Sequence, residues 1–408
     1  MIQKLKNLLP ASDLNNIKFY YLLVVFTNFW FLSANWLFFW LKFMDYNQLA
    51  IIDALTFGAG LLMEIPSGAI SDLFGKKKTI VLGTGTAFIS IMLMSQASHV
   101  STFFFAQLFL LIGWALNSGA VEALVYDTLL EKNRADEYEK VVSHGSSLAS
   151  WITIIAVFVG GYLYEWHFRL PTVAWGLTYA VSFLMALRLI EPKIDSDKFS
   201  WLNYWQQLKT GTLALFKKSL LAYSVVIFSL VGGYYLYDFG FLKLTMLQTF
   251  GFSPFEQSQI FTILYMIGAT IVLAVPWLRK KISDKKGLYL LTVLLGLGYL
   301  SSYYFAGWLG LVSILMIELS GYLVYPWISV VVNKEIESKY RATTLSALAL
   351  ISKIPYVLLA VVAGRFAENN KIGEFNAYVG VFILASILLS AGIYKLSKRK
   401  KSPIILII

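Results

Sequence analysis

The chain has 408 residues, 58% of them hydrophobic and 14% charged, with a mean hydropathy of +0.67. Ordinary soluble domains carry about a quarter of their residues as charges, so this composition excludes a soluble fold built on one core. The formal charge is +11, but the lysines stand between apolar runs and not on one polar domain, which argues against nucleic acid. Cysteine is absent, which excludes thiol chemistry and cysteine-held metal.

Residues 1–18 are mixed polar with no cleavable apolar core, so no signal peptide is expected and the first apolar run reads as a retained membrane helix. About 20 apolar residues cross a bilayer. Twelve runs meet that length: 19–43, 47–71, 78–98, 101–129, 142–164, 170–190, 219–243, 256–278, 287–307, 309–333, 342–366 and 374–395. Between the sixth and seventh lies a polar stretch with Trp201 and Trp205, which reads as an amphipathic segment on the membrane surface. The expected domains are a six-helix bundle over 1–190, a linker over 191–218 and a second six-helix bundle over 219–408. With the N-terminus inside, the inside segments hold 28 of the 34 Lys and Arg residues. Lys42, Arg169, Lys243, Arg365 and Lys371 fall outside, and Lys353 falls within a span. Basic residues collect on the cytoplasmic side, so both termini are expected in the cytoplasm of a multi-pass protein of the cell membrane.

The halves repeat. Ile-Ser-Asp-x-x-Gly stands at 70–75 after the second span and at 282–287 after the eighth. Two parallel six-span halves with a site between them is a transporter plan. In the first copy Gly68 lets helices approach closely, Gly75 allows a tight turn, and Lys76, Lys77 and Lys78 hold the loop inside. Asp72 has none of these jobs, and a carboxylate at the membrane edge needs a partner.

Gly68, Asp72, Gly75, Lys76 and Lys77 resemble the signature loop of the major facilitator superfamily, Gly-x-x-x-Asp-(Arg/Lys)-x-Gly-(Arg/Lys)-(Arg/Lys). Leu73 departs from it, standing where the family has a basic residue. The resemblance implies an all-α membrane fold of two six-helix bundles around a central cavity, working by alternating access. It also implies that Lys76 reaches Asp127, and that Asp72 faces the start of span eleven near 342–344 as a cytoplasmic latch. Spans one, four, seven and ten would line the cavity. The drug-antiporter pattern Arg-x-x-Gln-Gly has lost its Arg at Phe109, and Gly-Pro-x-x-Gly-Gly keeps only Gly160 and Gly161.

Charges inside spans are costly and mark function. Asp53 and Glu64 lie 11 residues apart on span two, which returns to nearly one helix face. Glu122 has no basic residue in sight at its depth and is the first choice for proton coupling, with Glu64 and Asp53 after it; burial of such a carboxylate favours its protonated form. Glu318 and Lys353 fall at matching depth on spans ten and eleven and are expected to pair. The further cavity candidates are Asn28, Trp30, Asn35 and Trp36 on span one, Trp114 and Asn117 on span four, Tyr234 and Asp238 on span seven, and Tyr322 on span ten. His99, His144 and His167 lack ligand spacing, so no metal or cofactor is expected. "GTGTAF" at 83–88 lacks the lysine of a nucleotide-binding loop.

These residues describe a monomeric secondary transporter, not an enzyme, whose partners are a small-molecule substrate, protons and the lipid bilayer. Carboxylates and aromatics suit efflux of amphiphilic or cationic compounds. Uptake of a sugar-like or anionic metabolite is the alternative, with a membrane-embedded enzyme or a passive channel further off.

Overall fold

The computed structural model describes residues 9–193, 202, 206, 209, 221–335 and 341–399. The side chains at 65, 66, 68, 69, 72, 73, 221–223, 329, 331–335, 341–347, 349 and 394–399 fall outside the described set. The described residues contain helices and no strand. They fall into two compact units, 1–200 with 253–265, and 201–252 with 266–408. Ser253–Tyr265 therefore belongs with the first unit, although the sequence reading assigns it to the second bundle. Most of the 191–218 linker, with Trp201 and Trp205, lies outside the described residues.

The first unit contains α1 (Asn15–Thr27), α2 (Trp36–Trp40), α3 (Tyr46–Phe74), α4 (Lys76–Gln96), α5 (Val100–Asn117), α6 (Ala120–Glu131), α7 (Tyr138–Trp166) and α8 (Leu170–Leu187). Span one is not the continuous helix its hydropathy predicts: residues 28–35 run as turns between α1 and α2. Span four is also interrupted, because Gly119 sits at φ +77, where the helix cannot continue. α3 opens on a capping box in which Asp45 accepts from Gln48 N at 2.8 Å and the Gln48 side chain accepts from Asp45 N at 3.3 Å. α4 packs on α5 and α8, and α3 packs on α5. The α4–α5 crossing depends on two glycines. A Cβ at Gly83 would lie 2.8 Å from the Gly113 carbonyl, and one at Gly113 would lie 2.7 Å from the Gly83 carbonyl.

The second unit contains α9 (Leu221–Asp238), α10 (Leu242–Thr249), the later part of α11 (Pro254–Ile271), α12 (Val275–Lys281), α13 (Asp284–Ser301), α14 (Gly307–Glu335), α15 (Arg341–Glu368) and α16 (Ile372–Arg399). Here α9 packs on α13, α15 and α16, and α13 packs on α14 and α16. Span seven is broken: its two helices meet at a 65° bend. Among the described residues eight helices are long and apolar enough to cross a membrane, nine when the bent pair is taken as one span. The sequence reading expects twelve. Of the remaining three, span one is broken, α3 has side chains outside the described set, and α13 opens on Asp284, Lys285 and Lys286.

Candidate functional site

The break in span one and the break in span four open a cavity inside the first unit. Its volume is about 340 Å³. Trp30, Trp114 and Trp175 form its aromatic wall, with ring centroids 6.0, 5.8 and 6.4 Å apart for the pairs 30–114, 30–175 and 114–175. Trp114 Nε1 donates to Tyr179 Oη at 3.0 Å. Asn28, Asn117, Thr27, Thr84 and Thr153 add polar groups, and among the described residues none that lines the space is charged. Asn28 and Asn117 line this cavity within the first unit, whereas the sequence reading assigns them to a central cavity between the two bundles. Asn35 and Trp36 do not line it: Asn35 is fully buried and bonds Ser258 at 3.2 Å, and Trp36 packs edge-on against Trp40 at 5.6 Å. Gly160 and Gly161 have a packing reason, since a Cβ at either would strike the Phe31 carbonyl or the Ser258 side chain. Sequence reasoning misses Trp175, because no charge or motif stands near it in span six.

In the second unit the 65° bend brings Asp238, the last residue of α9, next to Lys243 in the first turn of α10. Lys243 Nζ lies 3.0 Å from Asp238 Oδ1 and 2.6 Å from Glu318 Oε1. Tyr237 Oη donates to the same Glu318 oxygen at 3.2 Å. The Glu318 side chain is 0% exposed, Lys243 6% and Asp238 40%. This corrects two expectations. Glu318 pairs with Lys243 and not with Lys353; the Lys353 ammonium stands 6.0 Å from the Tyr235 ring centroid instead. Lys243 lies in the first turn of α10 and is buried, where a basic residue at the end of a span is expected in an exposed segment. Tyr234 is buried against Gly321 of α14, and Tyr322 packs against Gly268.

Glu122 is exposed, where a proton site shielded from water needs burial. The span restarts at Ala120, so Glu122 sits in the first turn of α6 and has a helix N-terminus beside it in place of a basic side chain. It makes no ion pair among the described residues. Asp53 is buried and Glu64 exposed, so the two do not share one environment despite their common face.

The loop between α3 and α4 turns at Gly75, φ +94. Lys76 Nζ pairs with Asp127, both buried. The Glu191 carboxylate, at the exit of α8, accepts from Lys76 N at 2.7 Å and Lys77 N at 2.8 Å. It therefore occupies the anion position at the N-terminus of α4, and a Cβ on Gly75 would lie 2.9 Å from its Oε2. Sequence reasoning misses Glu191 because it lies 115 residues from its partner. The side chains of Gly68 and Asp72, and those of residues 342–344 that Asp72 is expected to face, lie outside the described set. In the second copy of the repeat Arg279 pairs with Asp284, and Trp327 Nε1 donates to the Asp284 carbonyl at 3.0 Å.

Helical units with broken spans, buried charges and an internal cavity define a membrane transporter, not an enzyme. The family model of the major facilitator superfamily matches residues 19–360, and the chain belongs to that superfamily. An uncharacterized MFS-type transporter, YxaM, from Bacillus subtilis (strain 168) is 22% identical over 363 residues, 85% of this chain and 88% of that protein. Multidrug resistance protein 2 of the same organism is 24% identical over 228 residues, 54% of this chain and 55% of that one. Among solved structures, the nucleoside transporter NupG shares the fold at TM-score 0.70 and 16% identity, covering 96% of this chain and 100% of its own. The POT family transporter PepTSo shares it at TM-score 0.69 and 10% identity, covering 95% and 99%.

Proposed function

We propose that this secondary transporter is proton-coupled and expels amphiphilic small molecules across the cell membrane, as a monomer with both termini in the cytoplasm. The observation that carries the coupling is the charged set Asp238–Lys243–Glu318. It has two carboxylates and one ammonium, so with all three ionised it holds a net negative charge. A net charge in a low-dielectric interior is costly, and one bound proton makes the set neutral. Lys243 touches both carboxylates, so it can shift toward whichever one stays ionised. The efflux direction is supported by the likeness to a multidrug resistance protein. A second reading places the coupling proton on Glu122, which has no ion-pair partner among the described residues. In this scheme Asp72 and the Lys76–Asp127 pair serve as the cytoplasmic latch.

Proteoliposomes carrying an imposed pH gradient test this. Solute movement driven by the gradient is expected in wild type and lost in Glu318→Gln, while exchange of solute without a gradient persists. Loss in Glu122→Gln with full activity in Glu318→Gln would move the proton site to α6. Full activity in both would remove proton coupling.

A further inference from the structure

We infer that the tryptophan-walled cavity of the first unit binds the aromatic part of the substrate as an uncharged, planar group that both donates and accepts hydrogen bonds. The inference rests on reading the chain as a small-molecule transporter and narrows which molecules its first unit accepts.

Three features of the wall lead there. The first is charge. Among the described residues no Asp, Glu, Lys or Arg lines the cavity, so an ion of either sign would lose its water without gaining a counter-charge there, and cation–π contact alone offsets only part of that loss. The second is shape. The three indole rings are inclined at 80°, 33° and 60° to one another for the pairs 30–114, 30–175 and 114–175, an aromatic wall that favours edge-to-face or offset contact with an aromatic ligand. About 340 Å³ lies at the lower end of the roughly 300–1,000 Å³ typical of small-molecule sites.

The third feature is the hydrogen-bond inventory. Thr27, Thr84 and Thr153 give their hydroxyl hydrogens to the Leu23, Ile80 and Ala149 carbonyls of their own helices, at 2.7, 2.7 and 2.9 Å. Asn28 gives an amide hydrogen to the Val24 carbonyl at 2.8 Å. The threonine oxygens keep lone pairs that a ligand N–H can meet, while the Asn117 amide nitrogen and the Tyr179 hydroxyl, whose oxygen accepts from Trp114, keep hydrogens that a ligand carbonyl can accept. Trp30 Nε1 and Trp175 Nε1 are buried donors with no acceptor, which leaves room for one carbonyl on the ligand if the indoles turn toward it.

The probe that meets these conditions is 2-quinolone: neutral, planar, with one N–H and one C=O. Quinoline lacks the donor, N-methylquinolinium is a cation of the same outline, and quinoline-2-carboxylate is the anion. Isothermal titration of the full chain in detergent, with no gradient, is expected to show 2-quinolone binding tightest of the four. Thr153→Val should weaken 2-quinolone about three- to tenfold, the worth of one hydrogen bond, and leave quinoline unchanged. Val121→Phe, which fills the cavity, should abolish binding of both; unchanged binding there would put the site elsewhere. Retained quinoline binding shows that Thr153→Val is folded. N-methylquinolinium or the carboxylate binding more tightly than 2-quinolone overturns the inference, as does no binding of any probe. If 2-quinolone binds as expected but no solute moves in the proteoliposome assay, the transport reading fails and the ligand class stands. If gradient-driven transport is intact and the cation binds best, the ligand class alone fails.

Discussion

Replacing Lys243 by Met and Glu318 by Gln, singly and together, should give an unequal cycle. In Glu318→Gln the ammonium keeps Asp238 at 3.0 Å, and that carboxylate is partly exposed; the loss is one charged hydrogen bond, about 1.5–3 kcal/mol. In Lys243→Met both carboxylates lose their cation. Glu318 is then a fully buried acid left with the Tyr237 hydroxyl as donor, and removing one partner of a buried pair costs about 3–5 kcal/mol. The double variant removes the stranded charge as well. Its loss should therefore fall short of the sum of the two single losses by about 1–3 kcal/mol of coupling. The measurement is the midpoint of thermal unfolding of each purified protein in one detergent. A double variant that loses the sum of the two single losses would refute the pairing, and with it the physical basis for placing the proton there.

Three further outcomes concern the loop between α3 and α4 and the crossing beside it. Glu191→Ala removes the acceptor from two N-terminal amides of α4 and should cost about 0.5–2 kcal/mol; an unchanged unfolding midpoint would show that other groups satisfy those amides. Gly113→Ala sets a Cβ 2.7 Å from the Gly83 carbonyl and should cost about 1–3 kcal/mol because backbone has to move; wild-type stability would mean that the α4–α5 crossing is looser than described. Asp72→Asn should slow transport turnover without changing 2-quinolone affinity, and equal turnover would reduce Asp72 to a residue that marks topology.

The fold is legible in the sequence because lipid demands long apolar runs, and the repeat at 70–75 and 282–287 sets two of them at equivalent positions. What hydropathy cannot show is a span that stops and restarts. A window average over 19–43 or 219–243 passes across the turns at 28–35 and the bend after Asp238, since most of the residues there are apolar too. That failure has a functional cost. Lys243 ends the seventh run and so reads as a loop cation, which leaves Glu318 with Lys353 as its nearest basic residue by depth. The bend reverses this: it carries Lys243 back among buried side chains, between two carboxylates. The break at Gly119 acts the same way on Glu122, since a restarted helix supplies an N-terminus where the sequence shows no cation. Buried charge in a membrane helix is thus a reliable sign that something holds it, but its partner is set by backbone breaks whose only sequence trace is a glycine or a lysine one turn too late. Of the three tryptophans of the cavity, Trp30 and Trp114 are legible beside the asparagines of spans one and four, but Trp175 is not, because an indole in a wall and an indole facing lipid are the same letter.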